Sequence, residues 1–172
     1  FRITVEGSST HGSTPHLGTD AIVAAASIIM NIQTYVSRNN DPLNPLVVTV
    51  GKIDGGQRFN ILANKVVMEG TCRTFSRKTL ETIDKDLERI AANTAAAFGA
   101  SASLEYQHLT TPVINDHEDL NRIARNAVIK LYGEEGLGHL PTMMGSEDFA
   151  FFMEEVPGVF GFIGSRDPEQ GY

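Results

Sequence analysis

Strict alternation of side chains over residues 65–75 is the feature that most constrains the fold of this chain. The more apolar set of alternate positions consists of Val66, Met68, Gly70, Cys72 and Thr74. The other set consists of Lys65, Val67, Glu69, Thr71 and Arg73. A period of two residues is typical of a β-strand that buries only one face. We expect the first set to face the core and Arg73 to lie on the opposite face of the sheet.

The segments around this strand predict the order strand, helix, strand, strand, helix, strand. The predicted strands cover residues 1–6, 46–53, 65–75 and 102–107. Apolar residues at helical spacing predict one helix over 19–37, with Thr19 as its N-cap, and another over 76–98, capped by Ser76. This order predicts an α/β (α+β) fold, a ferredoxin-like βαββαβ domain with one sheet and both helices on one face.

The pattern changes after the fourth strand. It predicts a helix capped by Asn115 or Asp116 and ended by Gly133, then a short helix through Met153 and a buried strand over 159–163. This part is too small to be a comfortable domain alone. The chain also begins within a strand pattern and without an initiator Met, so we expect it to be a piece of a longer protein.

Composition excludes several functional classes. The formal net charge of −7 over 172 residues argues against a nucleic-acid partner, which would require a basic face. No apolar run approaches the length that crosses a membrane, so no membrane partner is expected. A single cysteine, Cys72, excludes an internal disulfide and indicates a reducing compartment, hence a cytoplasmic location.

The polar loop of residues 7–20 is the candidate functional segment, because it carries His11 and His16 between a strand and a helix N-terminus. Such a loop can hold an anion or a developing negative charge. The alternative is a solvated connector with two surface histidines. The five histidines show no compact metal-ligand spacing, and there is no GxSxG elbow or phosphate-binding glycine loop. From the residues alone, the function stays open.

Five segments resemble, in the same order, those of the metal-dependent amidohydrolases and metallopeptidases, which include N-acyl-amino-acid amidohydrolases, hippurate hydrolases and auxin-conjugate hydrolases. Residues 7–20 are similar to G-x-x-x-H-[GA]-x-x-P-H-x-G-x-D in that family. The other similar segments are residues 50–56, 59–61, 69–75 and 144–150. The sequence departs from the family at Asn-Ile-Leu-Ala over 60–63, where the common motif is N-V-I-P.

The resemblance implies a catalytic domain that holds two metal ions and is interrupted by a lid domain with this βαββαβ pattern, which also mediates dimerisation. Residues 1–111 would be the lid and 112–172 an incomplete part of the catalytic domain. The family's metal ligands and catalytic glutamate would lie before Phe1 and after Tyr172, so no metal ligand is expected in this chain. The divalent metal of the whole enzyme would be zinc, with manganese, cobalt and nickel as alternatives.

The resemblance also implies roles for three lid residues. His11 would reach across a homodimer and donate a hydrogen bond to the substrate carbonyl oxygen in the partner's active site, where a metal-bound hydroxide attacks. Asn60 would bind substrate; its alternative is a turn residue. Arg73 would hold the substrate carboxylate, for which its fork is suited; its alternative is a surface ion pair.

Three further residues are assigned supporting roles by the same resemblance. His16 would bind substrate by shaping the pocket or steadying the loop. Glu147 and Asp148 would support the metal site through the groups that ligate it. Capping of a helix N-terminus is the alternative for these two carboxylates.

The leading hypothesis is therefore part of an amidohydrolase that cleaves the amide bond of N-acyl amino acids or small peptides. The 172-residue chain alone is expected to be inactive. Two alternatives remain, a non-catalytic dimerisation module and a free-standing ferredoxin-like domain that binds a carboxylate through Arg73.

Overall fold

A computed structural model describes residues 1–165 of the chain. The chain divides into two compact units, Phe1–Leu109 and a second that begins at Thr110. None of the helices formed by residues 1–165 is long and apolar enough to cross a membrane.

The first unit, described in full, contains one four-stranded antiparallel sheet and three helices. Its strands are β1 (Arg2–Glu6), β2 (Leu46–Gly55), β3 (Lys65–Thr74) and β4 (Ser101–Glu105). Its helices are α1 (Ala21–Arg38), α2 (Arg77–Leu80) and α3 (Ile83–Ala97). The strand order is β2-β3-β1-β4, with every neighbouring pair antiparallel. This connectivity confirms the predicted ferredoxin-like arrangement.

One face of the sheet packs against α1 and α3 and forms the core. Ile3, Val5, Val66 and Met68 are buried on this face, together with Ile28 and Ile32 of α1 and Leu87 of α3. The predicted orientation of β3 is therefore confirmed. Alternation places most of the apolar strand residues on the face that the helices cover, because successive strand side chains point to opposite faces.

The opposite face carries a row of charges that crosses all four strands. Glu69 of β3 accepts from Arg2 of β1 at 2.8 Å and from Lys52 of β2 at 3.2 Å, and Arg2 also lies 3.6 Å from Glu105 of β4. The hydrogen bond from Arg2 lowers the pKa of the Glu69 carboxyl. A slip of one residue would turn these side chains toward the apolar core, so the row favours the observed register.

Two predicted details of the helices of the first unit are wrong, and the first concerns the cap of α1. The N-cap of α1 is Asp20, not Thr19, since Asp20 Oδ1 accepts from the N–H groups of Ile22 at 2.9 Å and Val23 at 3.3 Å. Thr19 instead pairs its backbone with Ser8 through two 3.0 Å hydrogen bonds.

The helix predicted over 76–98 is divided into α2 and α3. Ser76 does cap α2, but the chain leaves helical geometry at Thr82, where φ is −123°. The Thr82 hydroxyl bonds back to the carbonyl oxygens of Lys78 and Thr79, a contact that competes with regular helical hydrogen bonding.

The second unit contains, within residues 110–165, the helices α4 (Glu118–Tyr132) and α5 (Phe149–Glu155). Gly133, with φ of 76°, ends α4 as predicted. The N-cap is His117 rather than Asn115 or Asp116, because His117 Nδ1 accepts from the N–H of Leu120 at 3.4 Å. Asn115 is engaged elsewhere, in two 2.8 Å hydrogen bonds with the backbone of Phe160.

The strand predicted over 159–163 is not formed. Phe162 is 66% exposed and Ile163 94% exposed, so the segment is not buried either. Residues 110–165 contain no other strand with which it could pair. A segment with high β propensity forms a strand only when a neighbouring strand pairs with its backbone N–H and C=O groups.

Candidate functional site

Two loops meet at one end of the first unit, and they carry His11 and Asn60. The first loop joins β1 to α1 and the second joins β2 to β3. Backbone hydrogen bonds of 2.8–3.0 Å connect them at Gly7–Asn64, Gly12–Asn60, Leu62–Thr10 and Ala21–Ala63. His11 and Ile61 also form an isolated antiparallel bridge. The two loops therefore form one backbone-bonded platform.

Two glycines of the first loop lie where the backbone is approached closely by another carbonyl group. A Cβ atom built on Gly12 would lie 3.2 Å from the carbonyl oxygen of Asn60, and one on Gly7 would lie 2.2 Å from that of Thr19. A side chain at Gly12 would push the two loops apart, and one at Gly7 would distort the first loop, to which Thr19 also belongs. The glycines of the 7–20 motif thus permit the hydrogen bonds that place His11 beside the second loop.

The His11 ring is exposed, and Ser13 holds it in one orientation. Its Nδ1 atom lies 3.2 Å from the backbone nitrogen of Ser13 and 2.7 Å from Ser13 Oγ. A backbone N–H can only donate, so Nδ1 is the acceptor and the proton of the neutral ring resides on Nε2. The outward Nε2–H is then a hydrogen-bond donor, as a developing oxyanion requires.

Asn60 lies at the tip of a β-turn on the second loop. The turn spans Arg58 to Ile61, whose N–H donates to the Arg58 carbonyl at 3.3 Å. The backbone carbonyl of Asn60 accepts a hydrogen bond from the N–H of Gly12. The exposed side-chain amide of Asn60 can therefore donate or accept hydrogen bonds to another molecule. The structure therefore brings His11 and Asn60 together, as two polar groups on adjoining loops.

His16 belongs to the same platform. It is the exposed middle residue of a single 3-10 turn, Pro15–Leu17, that follows His11 in the first loop. Its ring is available at the surface of this loop.

Arg73 lies far from this platform. It sits on the helix-free face of β3, paired in register with Val47 at the start of β2. β3 has 10 residues, so its two ends are about 30 Å apart at roughly 3.3 Å per residue. The loop of Asn60 precedes one end and Arg73 is next to the other. One chain does not bring Arg73 and His11 to the same small ligand.

Glu147 and Asp148 lie in the second unit, at the start of α5. Glu147 Oε1 accepts a 3.0 Å hydrogen bond from the backbone N–H of Asp148, and the Asp148 side chain makes no capping bond. Within residues 1–165, no three or more His, Cys, Asp or Glu side chains converge on a point that could hold a metal ion. The residues described here do not fit a metal centre by themselves.

Cys72 is excluded as a nucleophile by its surroundings. It packs against the core on the helix-covered face, as its strand position predicted, and burial raises the pKa of its thiol. A thiol kept protonated is a poor nucleophile.

Sequence reasoning missed Ser13 and Gly12 as supports of the site. The spacing of Ser13, two residues after His11 in a turn-rich loop, is a local signal for a side chain that bonds back to its neighbour. The close approach at Gly12 depends on a loop almost fifty residues away, so no local signal could reveal it.

The fold and this platform define a ferredoxin-like domain with a polar loop platform at one end, and comparison with known proteins identifies its family. Residues 1–98 match the family described as Peptidase dimerisation domain. The chain therefore belongs to the M20 peptidase dimerisation-domain family.

Similar proteins include hydrolases from bacteria and plants. The chain is 35% identical over 165 residues to N-acetyl-L-cysteine deacetylase of Bacillus subtilis, covering 96% of this chain and 39% of that protein. It is 33% identical over 176 residues to IAA-amino acid hydrolase ILR1-like 2 of Arabidopsis thaliana, covering 100% of this chain and 39% of that protein. The chain thus spans about two fifths of the length of these curated relatives.

A solved structure shows the same fold. The Bacillus subtilis YXEP protein, described as a dinuclear metal-binding peptidase of the M20 family, aligns with a TM-score of 0.68 and 27% identity. The alignment covers 92% of this chain and 39% of that one.

Proposed function

We propose that this chain is part of a metal-dependent amidohydrolase that cleaves the amide bond of N-acyl amino acids or small peptides. Residues 1–111 are its lid and dimerisation domain, and 112–172 are part of its catalytic domain. The observation that carries the proposal is the Nε2–H donor of His11, oriented by Ser13 and placed beside Asn60. Family membership and the deacetylase and hydrolase relatives support it.

His11 acts on the substrate carbonyl. Attack on an amide carbon moves negative charge onto the carbonyl oxygen, and a donor held in place before the reaction stabilises that charge. Ser13 fixes the ring, so little reorganisation is needed when the charge develops. Asn60 adds a second polar group on the neighbouring loop and binds the same amide. His16 helps to shape this end of the pocket.

Arg73 binds the substrate carboxylate from a different lid. The distance of about 30 Å along β3 exceeds the size of an N-acyl amino acid, so His11 and Arg73 of one lid cannot hold one substrate. In a homodimer, the active site takes His11 and Asn60 from the partner's lid and Arg73 from its own. Each substrate then contacts both lids.

The metal ligands are proposed to lie outside this chain; among the described residues no three or more His, Cys, Asp or Glu side chains converge. Zinc is the proposed metal. Glu147 and Asp148 support the groups that hold it, and the protein works in the cytoplasm, where its single thiol stays reduced.

The test uses the full-length protein with a divalent metal and N-benzoylglycine as substrate. Replacing His11 by Ala removes one oxyanion donor, so kcat should fall by about 10²–10³ while KM changes little. His139→Ala, at another exposed histidine, is the matched control. Unchanged turnover in His11→Ala rules out the assigned role.

A dimerisation module without catalysis is the second candidate, favoured by the family match over residues 1–98. It predicts a stable dimer in sedimentation experiments and no hydrolysis of any N-acyl amino acid by the full-length protein. Hydrolysis with loss on His11→Ala excludes this candidate.

A further inference from the structure

Phe59 is the most exposed aromatic residue among those described, and it lies beside the candidate site. Its side chain is fully exposed, at 104% of the reference value. It occupies the corner of the Arg58–Ile61 turn next to Asn60. Turn corners usually carry Gly, Asn, Asp or Pro, and a bulky aromatic ring gains nothing there from the turn itself.

The turn that carries Phe59 is fixed against the histidine loop. The backbone N–H of Gly12 donates to the Asn60 carbonyl at 2.8 Å, and that of Leu62 donates to the Thr10 carbonyl at 3.0 Å. Ile61 also forms an isolated β-bridge with His11. The backbone of the turn that carries Phe59 is therefore fixed beside the loop of His11.

Phe59 is accompanied by other exposed apolar side chains on the same platform. Ile61, opposite His11, is 40% exposed, and Leu17, next to His16, is 70% exposed. The platform thus presents polar donors flanked by apolar surface. Isolated apolar residues are common on protein surfaces, but here they lie on the same two loops as His11 and Asn60.

We propose that Phe59, flanked by Ile61 and Leu17, recognises the acyl group of the substrate and selects aromatic or other bulky apolar acyl groups. This inference rests on the proposed amidohydrolase function. The acyl group is bonded directly to the carbonyl carbon whose oxygen His11 binds, so it lies within a few bonds of that donor. The amino-acid carboxylate, at the other end of the substrate, is bound by Arg73 of the other lid in the homodimer.

The energetic reason is burial of apolar surface. A fully exposed phenyl ring that becomes covered by a ligand adds a factor of about ten to a hundred in binding. A benzoyl group can cover the ring, whereas an acetyl group offers a single methyl. Discrimination between the two should therefore depend on Phe59.

The experiment compares kcat/KM of the full-length protein for the N-benzoyl and N-acetyl derivatives of one amino acid. Phe59→Ala should lower the value for the benzoyl substrate about tenfold to a hundredfold. The value for the acetyl substrate should stay within about threefold. Phe59→Leu, which keeps apolar surface, should restore part of the preference.

Leu43→Ala is the matched control. Leu43 is 90% exposed but lies beyond the other end of α1, whose 18 residues span about 27 Å. This variant should change neither rate.

Three outcomes overturn the inference. A failure of Phe59→Ala to fold would show that the ring packs against protein. An unchanged benzoyl-to-acetyl ratio would show that another surface reads the acyl group, although the hydrolase function would stand. If the wild-type protein hydrolyses neither derivative, the proposed function fails and the inference fails with it.

Discussion

The backbone N–H of Gly12 donates a 2.8 Å hydrogen bond to the carbonyl oxygen of Asn60. This bond joins two residues that are far apart in sequence and ties the loop of His11 to the turn that carries Asn60. Catalytic groups on loops act precisely only when the backbone that carries them is fixed. We therefore expect the activity to depend on the spacing of the two loops.

Gly12→Ala tests this spacing. The new Cβ would lie 3.2 Å from the Asn60 oxygen, so the loops must separate by a few tenths of an ångström. We expect kcat to fall about tenfold through misplaced donors, since small displacements in a site have large effects on rate. Gly51→Ala is the control, because nothing lies within 4 Å of the Cβ built there. Equal effects of the two substitutions in steady-state assays would contradict the prediction.

Ser13→Ala tests the orientation of His11. The substitution removes the 2.7 Å contact from Ser13 Oγ to Nδ1 and keeps the weaker one from the backbone N–H at 3.2 Å. The proton should then spend less time on Nε2, and kcat should fall by about threefold to tenfold. Nitrogen NMR shifts of the labelled ring report the tautomer directly. Ser8→Ala, on the same loop, should leave the shifts of His11 unchanged.

Asp20→Ala tests the start of α1. Asp20 accepts from two N–H groups of the first helical turn, and loss of such a cap costs about 1 kcal/mol in the free energy of unfolding. Thr19→Ala should cost less than about 0.5 kcal/mol, because Thr19 contributes backbone rather than side-chain bonds here. Urea unfolding measures the free energy of unfolding of both variants. A larger loss for Thr19→Ala than for Asp20→Ala would show that Thr19 is the cap.

Alkaline pH should weaken the contact between α1 and α3. Burial, followed by the 2.9 Å hydrogen bond to Asp86, raises the pKa of Tyr35 from 10.0 to about 12. A raised pKa means that the folded state favours the protonated hydroxyl. The stabilisation is complete below pH 10 and is lost as the pH rises from about 10 to 12. Tyr35→Phe should reduce the steepness of this loss in unfolding measured at fixed pH values. An identical pH dependence in Tyr35→Phe would contradict the assignment.

The sequence patterns predicted the sheet better than the ends of its elements. The alternation over 65–75 identified the buried face of β3, since a period of two has only one interpretation when one face is apolar. The predictions failed where the outcome depended on a partner. The strand over 159–163 lacks a neighbour among the described residues, and the helix predicted over 76–98 breaks at Thr82 although its apolar spacing is continuous.

The candidate site was predictable only in part. Resemblance to a family indicated His11, Asn60 and Arg73, and strand phase placed Arg73 on the helix-free face. Neither could show that the loops of His11 and Asn60 are bonded together, because such contacts join residues distant in sequence. The full exposure of the Phe59 ring was equally unpredictable from the sequence, since an aromatic residue in a loop is as readily buried as exposed.

Mixed dimers of two inactive variants test the division of the substrate site between lids. If an active site takes His11 from one lid and Arg73 from the other, a dimer of His11→Ala and Arg73→Ala subunits contains one site with both groups intact and one with neither. Random mixing makes half of the dimers mixed, so about one quarter of the wild-type activity should return. Each variant alone should stay far below that level. If both groups came from the same lid, every site in the mixed dimer would lack one of them, and mixing would restore nothing.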